Sequence, residues 1–134
     1  MRKTAWIAAF AIFVSTLAVA GHEVAVLDGT SWKLSVAPDS MAKGKGAEEF
    51  KPTMTFAEGN VTLTESKGTF DPSPYSVEKS DKKELTFKTE QTSPTEGTSL
   101  WTGTIHENSM EGKRIWTKLN GEVWTYTFKG EKLK

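Results

Sequence analysis

From about residue 31 onward, apolar and polar residues alternate with a period of two, and every few residues the pattern is interrupted by Gly, Pro, Asn or Asp. No stretch there carries the 3.6-residue apolar stripe of a long amphipathic helix, so the chain is expected to be all-β. The alternation is carried by Ser31–Ala37, Thr53–Ala57, Val61–Glu65, Tyr75–Lys79, Glu84–Glu90, Leu100–Glu107, Met110–Leu119 and Val123–Lys129. That makes eight strands.

The links between them are mostly short and polar. Glu58-Gly59-Asn60, the run from Lys79 to Lys83, and Glu107-Asn108-Ser109 each leave room only for a tight reversal. Asn120-Gly121 carries the strongest hairpin signal, because a type I′ turn needs positive φ at both central residues. Short links imply antiparallel neighbours in sequence order, with no crossover helices. A sheet of this kind must either expose two unpaired edges or close on itself. The expected fold is an eight-stranded antiparallel up-and-down meander barrel. Two connections are longer. Pro38–Phe50 has room for a short helix or flap, and Ser66–Pro74 presents Phe70 between a glycine and two prolines.

Strand parity divides the residues into two sets. One holds Trp32, Leu34, Val36, Met54, Phe56, Val61, Leu63, Tyr75, Val77, Leu85, Phe87, Trp101, Gly103, Ile105, Met110, Gly112, Trp116, Trp124, Tyr126 and Phe128, and is expected to face inward. The other is dominated by Lys, Glu, Ser and Thr and suits water. A lipid-embedded barrel needs the opposite arrangement, so no membrane span is expected in the mature form.

The start of the chain is a separate matter. Arg2-Lys3, a weakly polar run from Thr4 to Ala20, and the small residues Ala18-Val19-Ala20 fit a secretory signal peptide. This predicts residues 1–20 as a leader and 21–134 as a single β-barrel domain, periplasmic or secreted, and bacterial. Loss of Arg2 and Lys3 from the 17 basic residues leaves 15 against 17 acids, with no basic stripe, so nucleic acid is not an expected partner. The chain has no cysteine, which excludes disulfides, thiolate metal sites and cysteine nucleophiles.

Leu27-Asp28-Gly29-Thr30-Ser31-Trp32, together with the later W-x-G-x-I and M-x-G-x-R-x-W strands, resembles the lipocalin and calycin type of small barrel. From Pro74 to Leu133 the chain also resembles a set of uncharacterised exported bacterial proteins. Its G-T-S-W is one residue longer than the lipocalin G-x-W and closer to META-type bacterial barrels. The chain is also shorter than a typical lipocalin. The resemblance implies the barrel fold, and with it a ligand held inside. It also implies that Arg114, on a late strand, covers the first-strand Trp32.

Arg114 is the only arginine beyond the leader, and its parity points it inward with Met110, Gly112 and Trp116. A buried guanidinium needs a carboxylate, carbonyls or an aromatic face. It is expected either to stack on Trp32 or to receive the carboxylate of an apolar ligand. The candidate lining is Trp32, Trp101, Trp116, Trp124, Tyr126 and Arg114. Gly103 and Gly112 leave room beside it for a kink, a ring or a ligand. Glu65 extends the inward parity of its strand and is a candidate partner for Arg114.

No catalytic signature stands beside these residues. There is no G-x-S-x-G elbow, no spaced carboxylate pair and no H-E-x-x-H. His22 and His106 are isolated, so neither a metal nor a cofactor is expected. The leading expectation is a non-enzymatic barrel holding a small apolar or amphipathic molecule. The alternative is an interaction, inhibitor or envelope-stress module acting through Phe50 and Phe70 on its two long loops. A barrel hydrolase or isomerase is the third. An imperfectly closed barrel would pair through its first or last strand, so both monomer and oligomer are compatible with the pattern.

Overall fold

The computed structural model describes residues 27–64, 70–79 and 84–134. The expected leader at residues 1–20, His22, Glu65 and the run from Ser80 to Lys83 lie outside the described residues. Eight strands run β1 (Thr30–Pro38), β2 (Thr53–Ala57), β3 (Asn60–Thr64), β4 (Ser73–Lys79), β5 (Leu85–Ser93), β6 (Gly97–His106), β7 (Ser109–Thr117) and β8 (Val123–Lys132). Each pairs antiparallel with the next, and β8 pairs back onto β1, closing a meander barrel. Closure gives every strand a neighbour on both sides, with the β3–β4 seam the shortest, paired only at Asn60↔Pro74 and Val61↔Ser73 among the described residues. Helix α1 (Ser40–Gly44) lies in the β1–β2 connection, where Asp39 caps it by accepting a 2.8 Å hydrogen bond from the Ala42 amide.

The register confirms the parity reading. Trp32 lies opposite Met54, Phe56 opposite Val61, and Trp116 opposite Trp124, all on the inner face. The outward-facing Lys33, Ser35, Thr62, Lys88, Lys113 and Lys129 are exposed. Among the described residues no helix is long and apolar enough to cross a membrane.

The turns correct one expectation. Asn120-Gly121 does not form a type I′ turn, because only Gly121 has positive φ there, at 90°. Instead the Gly121 amide donates to the Lys118 carbonyl, and Asn120 Oδ1 accepts from the Glu122 amide at 2.9 Å. The loop is one residue longer than a two-residue hairpin allows, and the Asn side chain serves as a local acceptor. Positive φ at both central residues occurs instead at Glu58 and Gly59, 53° and 78°, between the paired Ala57 and Asn60.

Strands β5 and β6 extend further than alternation suggests, to Ser93 and back from Gly97. The added segments are polar at both parities, so they carry no periodic signal, yet the ladder continues through them. Ser93 Oγ accepts from the Thr95 and Glu96 amides and holds the reversal.

The opening motif locks one end of the barrel. Thr30 Oγ1 donates to the Leu27 carbonyl and accepts from Trp32 Nε1 at 3.0 Å. Asp28 accepts from the Gly59 amide, at 3.1 Å to each carboxylate oxygen, and from the Tyr75 hydroxyl at 2.7 Å. Burial, reinforced by the hydrogen bond and charge of Asp28, holds the Tyr75 hydroxyl well above its ordinary pKa.

Above that end the interior is filled by rings. Tyr75 meets Phe56 edge-on at 4.8 Å, Phe56 meets Phe87 at 5.3 Å, and Phe128 bridges Phe87 and Trp101 at 6.5 and 5.3 Å. The paired Gly103 and Gly112 make room for these rings. A Cβ on Gly103 would lie 2.5 Å from Phe87 Cε1 and 3.0 Å from Phe128 Cζ. Of the possible uses for that space, a ring is the one realised.

Candidate functional site

Arg114 sits toward the other end of the barrel. In the antiparallel ladder its direct neighbours are Trp101 on β6 and Tyr126 on β8. Directly opposed side chains on one face lie roughly 4.5–5.5 Å apart at Cβ, so the register alone places the guanidinium between two aromatic residues. Trp116, two residues along β7, adds a third. Phe50 and Phe70, from the connections before β2 and β4, add two more.

The guanidinium carbon lies 4.9 Å from the ring centroids of Trp116 and Tyr126, 5.4 Å from Trp101, and 5.7 Å from Phe50 and Phe70. All are within cation–π range. Arg114 Nε donates to Ser99 Oγ at 2.7 Å, and Tyr126 supplies a further hydrogen bond. Arg114 is only 1% exposed. Burial lowers its pKa from the ordinary arginine range to about 10, with the charge of and hydrogen bond to Tyr126 opposing the fall.

Two donors at this centre lack an acceptor among the described residues: Arg114 Nη1 and Trp101 Nε1. The other indoles make the contrast. Trp116 Nε1 donates to the Glu96 carbonyl at 2.7 Å, Trp124 Nε1 to Glu122 Oε1 at 3.0 Å, and Trp32 Nε1 to Thr30. An unpaired buried donor costs about 1–3 kcal/mol, and more when it belongs to a charged group. The two donors belong to residues paired directly across β6 and β7, and a carboxylate is the kind of group that could supply an acceptor to each.

Lys118 closes the rim. Its Nζ lies 3.7 Å from the Trp124 centroid and 5.0 Å from that of Trp116. Glu122 takes both Lys118 and Lys45, at 4.0 and 3.7 Å.

Of the six candidate residues, Arg114, Trp101, Trp116, Tyr126 and, at the rim, Trp124 belong to one cluster. Trp32 does not. The register sets it opposite Lys132, six residues along β8 from the Tyr126 that faces Arg114. The expected stacking of Arg114 on Trp32 is therefore absent, and other rings take that role. Phe50 and Phe70 also differ from the sequence reading, which placed them outward. Phe50 is buried edge-on against Tyr126, and Phe70 is partly buried against Trp116. Ser99 was not anticipated. Extending the inward parity of Trp101 back by two residues finds it, as it does Gln91 and Ser93 beyond Thr89 on β5.

The clefts on the outer surface lack such a centre. One of about 530 Å³ lies on the outer wall, where Lys33 and Lys129 alternate with Glu84, Glu111 and Glu131. Among the described residues no three His, Asp or Glu side chains gather as a metal site would require. Comparison with family models, with curated proteins and with solved structures gives no match.

Proposed function

We propose that this chain is an exported, lipocalin-like barrel that binds one small amphipathic acid, with the acidic head on Arg114 and the apolar body among the surrounding rings. The observation that carries this reading is the pair of buried donors, Arg114 Nη1 and Trp101 Nε1, that have no partner among the described residues. A guanidinium kept only to fill space would be replaceable by an apolar side chain at no loss, since burying a charge costs several kcal/mol. A carboxylate supplies two acceptor oxygens and a countercharge in one group. Strand number and order support the calycin-like comparison, and the Arg2-Lys3 leader supports export. The inward seating of Phe50 and Phe70 favours this reading over capture of a partner protein through the loops.

Native mass spectrometry of protein recovered from its own host tests it. The expected spectrum contains a complex with one small acid, which disappears in Arg114→Gln. A spectrum of the bare chain alone, under conditions that preserve weak complexes, would overturn the reading.

A further inference from the structure

Depth limits what such a site accepts. Phe128, two residues along β8 from Tyr126, lies 5.3 Å from Trp101, and Phe128 and Phe87 already fill the space beside Gly103 and Gly112. An alkyl chain running from Arg114 down the barrel axis would have to displace this floor, which is packed to ring contact. A body that stays at the level of the cage need not.

The cage itself indicates the shape of that body. Trp101, Trp116 and Tyr126 are buried strand residues, and Phe50 is held by two backbone hydrogen bonds to Val36, at 2.9 and 3.0 Å. Phe70 alone among the five rings is partly exposed and lies outside any strand pairing. Its phenyl group rests edge-on against Trp116 at 6.2 Å and 5.7 Å from the guanidinium carbon. A phenyl-sized seat against a cation is therefore already formed, and that cation carries a donor without an acceptor among the described residues.

We propose that the acid is a compact aromatic carboxylate, and that the Phe70 ring marks the seat its ring takes. In that seat the ligand's ring keeps the edge-on contact with Trp116, and its carboxylate reaches Arg114 Nη1 and Trp101 Nε1. This inference rests on the reading of Arg114 as a ligand site and adds the size and shape of the ligand.

The test is calorimetric titration of the purified chain and its Phe70→Ala variant with benzoate, benzyl alcohol and decanoate. Benzoate is expected to bind the wild-type chain one to one. Phe70→Ala, which removes the competing ring, is expected to bind it about tenfold more tightly. Benzyl alcohol and decanoate are each expected to bind at least about tenfold more weakly than benzoate. Phe70→Leu, a milder change should the alanine variant fail to fold, is expected to shift benzoate affinity in the same direction by less. A merely structural Phe70 would give lower stability with no gain in affinity. Unchanged benzoate affinity in both variants, or decanoate binding as tightly as benzoate, overturns the compact-acid inference while leaving Arg114 as a site. No binding of any probe to any of the three proteins overturns both.

Discussion

Replacing Arg114 with methionine separates a binding guanidinium from a structural one. The fall in its pKa from the ordinary arginine range to about 10 corresponds to about 3 kcal/mol of disfavoured charging, at about 1.4 kcal/mol per pH unit. Arg114→Met removes that penalty while keeping a long apolar side chain among the rings. The Tyr126 hydrogen bond is already counted in the value of about 10, and two further losses oppose the gain. Ser99 Oγ loses its donor, worth about 1 kcal/mol, and the cation–π contacts vanish, worth together about 1–2 kcal/mol. The variant should therefore be between unchanged and about 1 kcal/mol more stable than wild type. Urea denaturation at pH 7, reading midpoint and slope together, measures this, and a gain of about 1 kcal/mol would raise Tm by roughly 4–8 °C. Benzoate binding should be lost in the same variant. Destabilisation of about 3 kcal/mol or more would refute the reasoning, because it would mean the guanidinium is fully paired within the protein and holds the barrel together.

The remaining predictions concern the floor, the locked end and one turn. Tyr75→Phe should cost about 1.5–3 kcal/mol at pH 7 by leaving Asp28 without its hydroxyl donor, measured by the same urea titration. It should also flatten the alkaline stability profile. The folded pKa of Tyr75 lies above the unfolded value of 10.0, so its contribution is complete below pH 10 and lost as pH rises beyond it. Arg114 acts oppositely in that range. Its folded pKa is depressed, so wild type regains stability as pH rises past about 10, and Arg114→Met lacks that rise. Gly103→Ala should destabilise by about 1–3 kcal/mol because the new methyl meets Phe87 and Phe128, and Phe128→Leu in the same chain should recover part of the loss. Glu58→Asn should stabilise by roughly 0.5–1 kcal/mol in thermal denaturation, since Glu58 holds φ at 53° and an Asn-Gly pair suits a type I′ turn better.

Period-two parity carried most of the barrel, because each strand buries one face and a slip by one residue would turn Trp32, Phe56 or Trp116 into water. It also placed Arg114 inside. Parity along single strands did not say which rings Arg114 meets, since that depends on register across three strands and on two connections. The Trp32 contact failed for that reason: register sets the two residues toward opposite ends of the barrel. Phe50 and Phe70 were misread because a loop has no period, and each ring turns inward where Arg114 and its neighbours offer an apolar, cationic seat. Ser99 and Gln91 escaped notice because their neighbours are polar on both faces. The turn at Glu58-Gly59 was legible only as a short link, since Glu is a poor indicator of positive φ.

A crystal structure of the protein grown in benzoate tests the central claim at the two atoms on which it rests. The benzoate carboxylate is expected within hydrogen-bonding distance of Arg114 Nη1 and Trp101 Nε1, with its ring against Trp116. Ordered water or a side chain of the protein on both donors, with benzoate excluded from the cage, would contradict it.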